Sequence, residues 1–242
     1  MVPKSLYLKC EAGDVGDYVL LTGDPARVDR IANALEDPQV IAQNREFYMV
    51  TGAYKGHRMS AVSSGIGAPS AAIAVEELKR LGARAIVRVG TMMGVAAPMN
   101  SFVISTGAAR FEGTSATYLP MQYPAVPDWS LAQSLFGSAN TSQLDIRMGI
   151  TSTHDSFYVD MAPSLVGRGE LDLSEAEAAG VLALDMETAL LYILGQRLRI
   201  ATAAMCIVTN SAVPFTVLDS DLRSSGENML IGCVLDGLSN WG

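Results

Sequence analysis

The sequence predicts an α/β fold in which parallel strands alternate with helices. Short apolar runs typical of buried strands recur along the chain, and segments with helical spacing lie between them. The helix predicted over 71–81 connects strands predicted over 55–62 and 85–89, and such a crossover implies parallel pairing. The chain has 242 residues, 49% hydrophobic and 17% charged, which is enough to bury a large core. No repeat, low-complexity tract or linker divides it, so residues 1–242 are expected to form a single domain.

The predicted strands are runs of apolar or β-branched residues that end at glycine, proline or polar residues. The first strand, from Asp17 to Thr22, is broken by Gly23, and a turn containing Gly56 joins the second strand to the third. In chain order, strands are predicted over 17–22, 44–50, 55–62, 85–89, 102–109, 146–152, 181–187 and 199–208.

The predicted helices carry apolar residues at helical spacing. Asp24 can cap the first helix and Pro25 fits its first position, whereas the prolines between 116 and 129 indicate a loop. In chain order, helices are predicted over 26–32, 71–81, 129–138, 171–179, 188–198 and 222–238. Polar residues gather beyond several strand ends, where open α/β sheets place their ligand sites.

Arg88 is unusual because it lies inside the apolar run 85–89, in a strand that should be buried. An unpaired charge there would be costly, so an anionic group should meet it. Thr91 follows the turn at Gly90 and brings a hydroxyl near the guanidinium, an arrangement that suits phosphate or carboxylate. The alternative is that Arg88 pairs with a buried Asp or Glu of the same fold.

A second possible anion site follows the first strand. The amide of Gly23 and the N-terminus of the next helix face beyond the strand end, and Arg27 lies on the first turn of that helix. The alternative is an ordinary strand-to-helix turn with a solvated Arg27.

Asp185 and Glu187 are also unusual, because they end the strand-like apolar run 181–187 directly before a helix. Carboxylates at the end of a strand can accept paired hydrogen bonds from neighbouring sugar hydroxyls, or they can pair with an arginine such as Arg88. Spacing alone does not decide which of the two carboxylates plays which part.

Charge and cysteine content exclude several classes of function. With 17 Lys and Arg against 25 Asp and Glu, the net charge is −8, which argues against a nucleic-acid surface. Three separated cysteines and two histidines indicate neither a metal cage nor a disulfide framework, and they suit a reducing compartment. No run approaches the roughly 18 apolar residues of a membrane span, and the N-terminus lacks the apolar stretch of a secretion signal. We therefore expect a cytoplasmic protein with no metal, no nucleic-acid partner and no membrane association.

Several ordered motifs resemble those of the nucleoside phosphorylase family, which includes uridine phosphorylase and the hexameric purine nucleoside phosphorylases. They are Gly23-Asp24-Pro25-Ala26-Arg27, Asn44-Arg45-Glu46, the run from Ser63 to Ser70 continuing through Ile73 to Glu77-Leu78, Arg88-Val89-Gly90-Thr91, Asp155-Ser156-Phe157-Tyr158 and Asp185-Met186-Glu187. The resemblance covers nearly the whole chain. It implies a three-layer α/β/α domain with a mixed, partly barrel-like central sheet. It also implies dimers built into hexamers, in which the neighbouring subunit completes each active site.

The resemblance further implies a reaction and the residues that perform it. Inorganic phosphate, the co-substrate, attacks C1′ of a nucleoside and displaces the base through a cation-like sugar, with no metal or organic cofactor. The products are ribose 1-phosphate and the free base. Phosphate would be held by Gly23, Arg27, Arg88 and Thr91, with Arg45 reaching in from the adjacent subunit.

The resemblance also implies which residues contact the sugar and the base. Glu187 would hold the ribose 2′ and 3′ hydroxyls while Met186 packs on the sugar. Tyr7 falls where relatives carry a histidine that crosses to the neighbour's ribose 5′ hydroxyl, so this contact is altered. Residues expected near the base are Met92, Met93, Phe157, Asp185 and Asn210.

The base pocket departs from the pattern of the family. Uridine phosphorylases read uracil with a glutamine and an arginine, where this chain has Met161 and Pro163. Hexameric purine enzymes use an aspartate near position 210 to protonate the leaving purine, whereas Asn210 can donate a hydrogen bond to N7 but no proton. Met92 and Met93 replace small residues and narrow the pocket. The sequence thus favours 6-oxopurine nucleosides, with uridine as the alternative.

Two other functions remain open. A nucleosidase of the same fold would use water and would not need several phosphate-binding arginines, whereas this chain keeps Arg27, Arg45 and Arg88. A non-catalytic nucleoside-binding protein is compatible with the altered base pocket.

Overall fold

The structure is a computed structural model that describes residues 4–142, 144–157, 173–211 and 215–241. The strands are β1 (Tyr18–Thr22), β2 (Glu36–Asn44), β3 (Phe47–Tyr54), β4 (His57–Ser63), β5 (Ala85–Gly94), β6 (Phe102–Phe111), β7 (Ile146–His154), β8 (Ala183–Asp185), β9 (Ala201–Ser211) and β10 (Thr216–Val217). The helices are α1 (Pro25–Ala32), α2 (Ala68–Arg80), α3 (Trp129–Thr141), α4 (Leu173–Ala178), α5 (Thr188–Leu198) and α6 (Ser220–Asn240), and a 3-10 turn covers Ser115–Thr117.

The strands form one mixed sheet in the order β10-β9-β6-β7-β8-β5-β1-β4-β3-β2. Strand β5 pairs with both β8 and β9, so β5, β8, β7, β6 and β9 close into a five-stranded ring. The remaining strands extend from this ring as an open sheet. The expected mixed and partly barrel-like sheet is confirmed.

Helices cover both faces of the sheet. One core lies between the sheet and helices α2 and α5, where Leu78 and Ile193 are fully buried. The other lies between the sheet and helices α1, α3 and α6, with Val28, Leu131 and Leu235 at its centre. Burial of apolar surface on both faces stabilises the three layers, and the α/β/α architecture is confirmed.

The crossover through α2 is parallel, as predicted, but the two strands it joins are not neighbours. Strand β1 lies between β4 and β5 and pairs in parallel with each, with Leu20 opposite Ala61 on one side and opposite Val87 on the other. The three strands therefore run in the same direction, and their carboxyl ends meet at one edge of the sheet.

Several elements differ from the sequence prediction. The predicted turn at Gly90 is wrong, because β5 continues through Gly90 and Thr91 as far as Gly94. Strand β2 was not predicted, because it is an edge strand that pairs only with β3 and is largely exposed, so its residues show no alternation of apolar and polar side chains. In the predicted strand 181–187, only Ala183–Asp185 is extended, because β8 has only two paired positions with β5 and two with β7 before the chain turns into α5.

Strand β8 brings its terminal carboxylates back toward β5. It runs antiparallel to β5, with Leu184 opposite Met93. The residues that follow Leu184 therefore approach Arg88 from the far end of β5. This connection brings together two parts of the chain that are distant in sequence.

Candidate active site

A cavity of about 420 Å³ opens where β1, β5 and β8 end. This volume lies within the range of small-molecule sites in proteins. The lining includes eight of the residues predicted for the site: Gly23, Arg27, Arg88, Thr91, Phe157, Asp185, Met186 and Glu187. The structure thus brings together side chains from four separate segments of the sequence.

The turn after β1 forms one wall of the cavity. Asp24 caps α1 by accepting a hydrogen bond from the Ala26 amide at 2.9 Å, and Pro25 occupies the first turn, as predicted. A side chain at Gly23 would be crowded, because its Cβ would lie 3.2 Å from the carbonyl oxygen of Gly65. The amide end of α1 is therefore open to the cavity.

Arg27 is buried, so the alternative of a solvated arginine is wrong. Only 3% of its surface is exposed. Its Nη1 donates to Thr22 Oγ1 at 2.6 Å, and its Nη2 donates to Glu227 Oε1 at 3.0 Å. These contacts fix the guanidinium at the cavity wall.

Arg88 is also buried and forms ion pairs with both carboxylates that follow β8. Its Nε donates to Asp185 Oδ2 at 2.8 Å, and its Nη2 lies 2.6 Å from Glu187 Oε2. Burial lowers the pKa of Arg88, but the two carboxylates outweigh burial and hold the pKa above its usual range. The guanidinium folds back over Gly90, where a Cβ would lie 3.0 Å from its central carbon. Arg88 therefore pairs with acids of its own fold and also lines the cavity.

Asp185 supports Arg88 from inside the protein. It is almost fully buried and also accepts hydrogen bonds from Thr153 Oγ1 at 2.8 Å and from the Thr188 amide at 3.1 Å. With these donors around it, Asp185 stabilises the orientation of the guanidinium. Asp185 thus contacts Arg88, Thr153 on β7 and the start of α5.

Glu187 is better placed than Asp185 to accept hydrogen bonds from a ligand. Its Oε1 accepts from the Gly67 amide at 2.6 Å, next to the start of α2, while Oε2 faces Arg88. Burial raises the pKa of Glu187, Arg88 lowers it and Asp185 raises it again, so the net shift is upward. Each oxygen retains acceptor capacity that hydroxyl groups of a ligand can use.

Three residues predicted near the base have little or no contact with this cavity. Met92 and Met93 are 2% and 1% exposed and pack in separate apolar clusters, and Met93 packs with the partly buried Phe157. Asn210 Oδ1 accepts from Thr209 Oγ1 at 2.9 Å. None of Met92, Met93 and Asn210 is among the described residues of the cavity lining. Met161 and Pro163 lie outside the described residues.

Arg45 and Tyr7 lie next to each other on the surface of the chain. The guanidinium carbon of Arg45 lies 5.9 Å from the centre of the Tyr7 ring. The Tyr7 amide donates to Glu77 Oε1 at 3.0 Å, which ties the N-terminal segment to α2. Neither residue is among the described residues that line the cavity of their own chain.

Sequence reasoning assigned no role to Arg223 and Glu227 on α6. Arg223 lines the cavity, and its Nε donates to Glu227 Oε1 at 3.0 Å. Glu227 is buried on a helix face that also carries the apolar residues Leu230 and Val234, which is unusual for a charged side chain. A charge on an apolar face is the same signal that identified Arg88, and it was available at Glu227 as well.

The described part of the chain offers no group of three or more His, Cys, Asp and Glu side chains that could hold a metal ion. Within the same ranges, no helix combines the length and the apolar character needed to cross a bilayer.

Comparison with known proteins gives the family. A family model described as the phosphorylase superfamily matches residues 17–229. A guanosine phosphorylase from Halorubrum lacusprofundi is 38% identical over 212 residues, covering 87% of this chain and 85% of that protein. A uridine phosphorylase from Treponema pallidum is 39% identical over 207 residues, covering 84% and 80%. The crystal structure of uridine phosphorylase from Vibrio fischeri ES114 superposes with a TM-score of 0.88 at 29% identity, covering 99% of this chain and 98% of the other. The chain therefore belongs to the phosphorylase superfamily.

Proposed function

We propose that this protein is a nucleoside phosphorylase that converts a nucleoside and inorganic phosphate into a free base and a pentose 1-phosphate. The observation that carries the proposal is one cavity in which Arg27 and Arg88 lie next to Glu187. Two buried cations suit an oxyanion, and a buried carboxylate suits the hydroxyls of a pentose. A hydrolase would need only the second of these features.

The proposed phosphate site combines the amide end of α1, through Gly23, with Arg27, Arg88 and Thr91. In the free protein Arg88 is neutralised by its own carboxylates, so phosphate must add to an ion-pair network that already exists. The second cation, Arg27, and the helix N-terminus provide the additional positive potential. Phosphate would then be held beside Arg88 without removing Arg88 from Asp185.

The proposed chemistry is a nucleophilic displacement at C1′. A phosphate oxygen forms the bond to C1′ while the bond from C1′ to the base nitrogen breaks, and the electron pair leaves with the base. The sugar becomes cation-like as these bonds exchange, and it is stabilised by phosphate on one side and by Glu187 at the 2′ and 3′ hydroxyls. Met186, which also lines the cavity, would pack on the pentose.

For the base, we propose a 6-oxopurine nucleoside, with uridine as the second candidate. The relative from Halorubrum lacusprofundi is named a guanosine phosphorylase, which favours an oxopurine. Relatives from Treponema pallidum and Thermococcus kodakarensis are named uridine phosphorylases, which favours uridine. Phe157 at the cavity would stack on either base, and Asn210 would donate a hydrogen bond to purine N7 without protonating it. Met92 and Met93 would act on the base pocket only indirectly, Met93 by packing against Phe157. Asp185 would hold Arg88 rather than contact the base.

We also propose that the active site is completed across a subunit interface, within a dimer-based assembly such as a hexamer. Arg45 and Tyr7 are adjacent to each other and lie outside the described lining of their own cavity, which supports a role at a neighbour's site. Arg45 would reach the phosphate and Tyr7 the ribose.

The three cysteines are buried and unpaired, which supports the cytoplasmic location expected from the sequence.

One assay tests the proposed activity. Purified protein is incubated with guanosine, inosine, adenosine and uridine, with and without inorganic phosphate, and free base and pentose 1-phosphate are quantified. We expect base release that requires phosphate and is faster with guanosine or inosine than with adenosine. Release that is independent of phosphate would indicate a nucleosidase, and binding of a nucleoside without turnover would indicate a non-catalytic binding protein.

A further inference from the structure

Three arginines converge on one buried carboxylate beside the cavity. Glu227 on α6 is 2% exposed. Arg27 Nη2 and Arg223 Nε lie 3.0 Å from its Oε1, and Arg30 Nη1 lies 2.6 Å from its Oε2. Arg27 and Arg223 line the cavity, whereas Arg30 lies behind them on the outer side of α1. A single carboxylate therefore connects the first turn of α1 to the first turn of α6.

The charges in this cluster do not balance. Three guanidinium groups against one carboxylate leave an excess of two positive charges. Burial raises the pKa of Glu227, but hydrogen bonds and charge from Arg27 and Arg223 outweigh burial and leave the pKa below its ordinary value. Glu227 is thus ionised at neutral pH. Arg27 and Arg223 line the cavity and Arg30 does not, so one positive charge of this cluster in excess of Glu227 faces a space that can hold an anion.

The hydrogen bonding of Arg27 supports the binding of an anion beside it. Thr22 and Glu227 hold its two terminal nitrogens, but its Nε is buried and has no hydrogen-bond partner among the residues that the structure describes. A buried donor without an acceptor is costly, and an oxygen of a bound ligand would remove that cost. The two contacts that fix Arg27 therefore leave one of its donors for a ligand.

We propose that Glu227 is a positioning residue of the anion site, which holds Arg27 and Arg223 at the cavity wall in the orientation that receives phosphate. Because Arg27 and Arg223 share Oε1, a change at Glu227 affects both cations together. The inference rests on the proposed phosphorylase activity and extends it by adding Glu227 and Arg223 to the phosphate-binding apparatus. Glu227 itself does not touch phosphate.

The opposite role for Glu227 makes a different prediction. If the carboxylate merely competed with phosphate for Arg27, its neutralisation would strengthen phosphate binding, because a negative charge near the site would be removed. If it positions the arginines, neutralisation weakens phosphate binding, because the charge-assisted hydrogen bonds that orient them are weakened. The direction of the change distinguishes the two roles.

The test is Glu227→Gln, assayed by steady-state kinetics with phosphate and nucleoside varied separately. We expect the phosphate KM to rise about tenfold or more, with the nucleoside KM and kcat nearly unchanged. A merely structural role would instead lower kcat through loss of active protein and leave the phosphate KM unchanged. The matched control is Glu76→Gln, which makes the same change at a surface partner of Arg80. An unchanged or lowered phosphate KM in Glu227→Gln would overturn the inference.

If Glu227→Gln does not fold, a second pair of variants tests the inference. Arg223→Gln and Arg30→Gln each remove one partner of Glu227, and both arginines are only partly buried. Arg223→Gln should raise the phosphate KM severalfold and Arg30→Gln much less, since Arg223 lines the cavity. Equal effects, or none at Arg223, would reject the inference. If the wild-type enzyme shows no phosphate dependence at all, the proposed function fails instead.

Discussion

At the scale of single residues, Arg88 is held between two carboxylates and a glycine. Asp185 and Glu187 neutralise it, and Gly90 leaves the space into which its guanidinium folds. The apolar run around Arg88 predicted an anionic partner, and the two alternatives considered for that partner, a ligand or an acid of the same fold, are compatible. Asp185 and Glu187 neutralise the buried guanidinium of Arg88, and the cavity gives a ligand access to it.

Removing Arg88 should destabilise the protein most strongly at neutral pH. In Arg88→Gln, two buried carboxylates lose their counter-charge, and we expect a loss of about 3–5 kcal/mol in the free energy of unfolding. Phosphate-dependent turnover should also be lost. Urea denaturation measures the stability, with Arg80→Gln as the control, where loss of an exposed pair should change it by no more than ~1 kcal/mol.

The pH dependence of this loss follows from Glu187. Burial raises its pKa in the folded state, so the folded protein holds the proton more tightly than the unfolded chain does. Stability from this group is therefore present at acid pH and is lost as pH rises through the folded-state pKa. Without Arg88 the pKa rises further, so the penalty in Arg88→Gln should shrink as pH falls toward the ordinary carboxyl value of about 4.3. A penalty that is equal at pH 5 and pH 8 would contradict this account.

At the scale of secondary-structure elements, helix α1 combines a cap, an open N-terminus and a buried cation. Asp24 caps the first turn, Pro25 fixes its backbone, and Arg27 is buried in the same turn. A capping aspartate stabilises the helix, but here it also places a negative charge at the proposed phosphate site. The helix would keep its cap with a neutral residue.

Asp24→Asn should therefore separate stability from phosphate affinity. Asn and Asp are comparable caps, so the free energy of unfolding should change by only a few tenths of a kcal/mol. The phosphate KM should fall about two- to threefold at low salt, and the difference should decrease as salt is added. The control is Asp128→Asn at α3, where Asp128 Oδ1 accepts from the Leu131 amide at 2.9 Å. The same KM change in both variants, or a rise at Asp24, would contradict this explanation.

At the scale of the whole molecule, we propose that two subunits complete each site. Arg45 and Tyr7 form a pair on the surface, and Glu77 fixes the N-terminal segment that carries Tyr7. In a two-fold dimer each subunit would donate this pair to its partner and receive the same pair in return. Each cavity would then contain Arg88 from its own chain and Arg45 from the other.

Mixing two inactive variants tests this arrangement. If Arg45 acts across the interface, co-expression of Arg45→Ala with Arg88→Ala gives mixed dimers in which one of two sites has both arginines. About a quarter of the wild-type activity should return when chains pair at random in an isologous dimer. Differently tagged chains and tandem purification isolate the mixed species. If both arginines act within one chain, every site in the mixture lacks one of them, and no activity returns.

The sequence by itself determined the fold class, most helices and strands, and the main members of the site. These features follow from local rules: periodicity identifies buried elements, Asp24 and Pro25 define the start of α1, and Arg88 is anomalous within its own strand. Strand β2 was missed because an exposed edge strand needs no apolar alternation. Glu227 was missed although it lies on the apolar face of α6, and its partner Arg27 is too distant in the sequence to be identified from spacing.

Only the tertiary structure decided which charges pair. Arg88 and Asp185 are 97 positions apart, and Arg27 and Glu227 are 200 apart. Spacing left open whether Asp185 or Glu187 meets Arg88, and the structure brings both to it because β8 runs antiparallel to β5. Ion pairs form between groups that become neighbours in space, and the pairing of strands and packing of helices sets those neighbours. Local sequence can therefore indicate that a buried charge needs a partner, whereas the fold alone determines which residue that partner is.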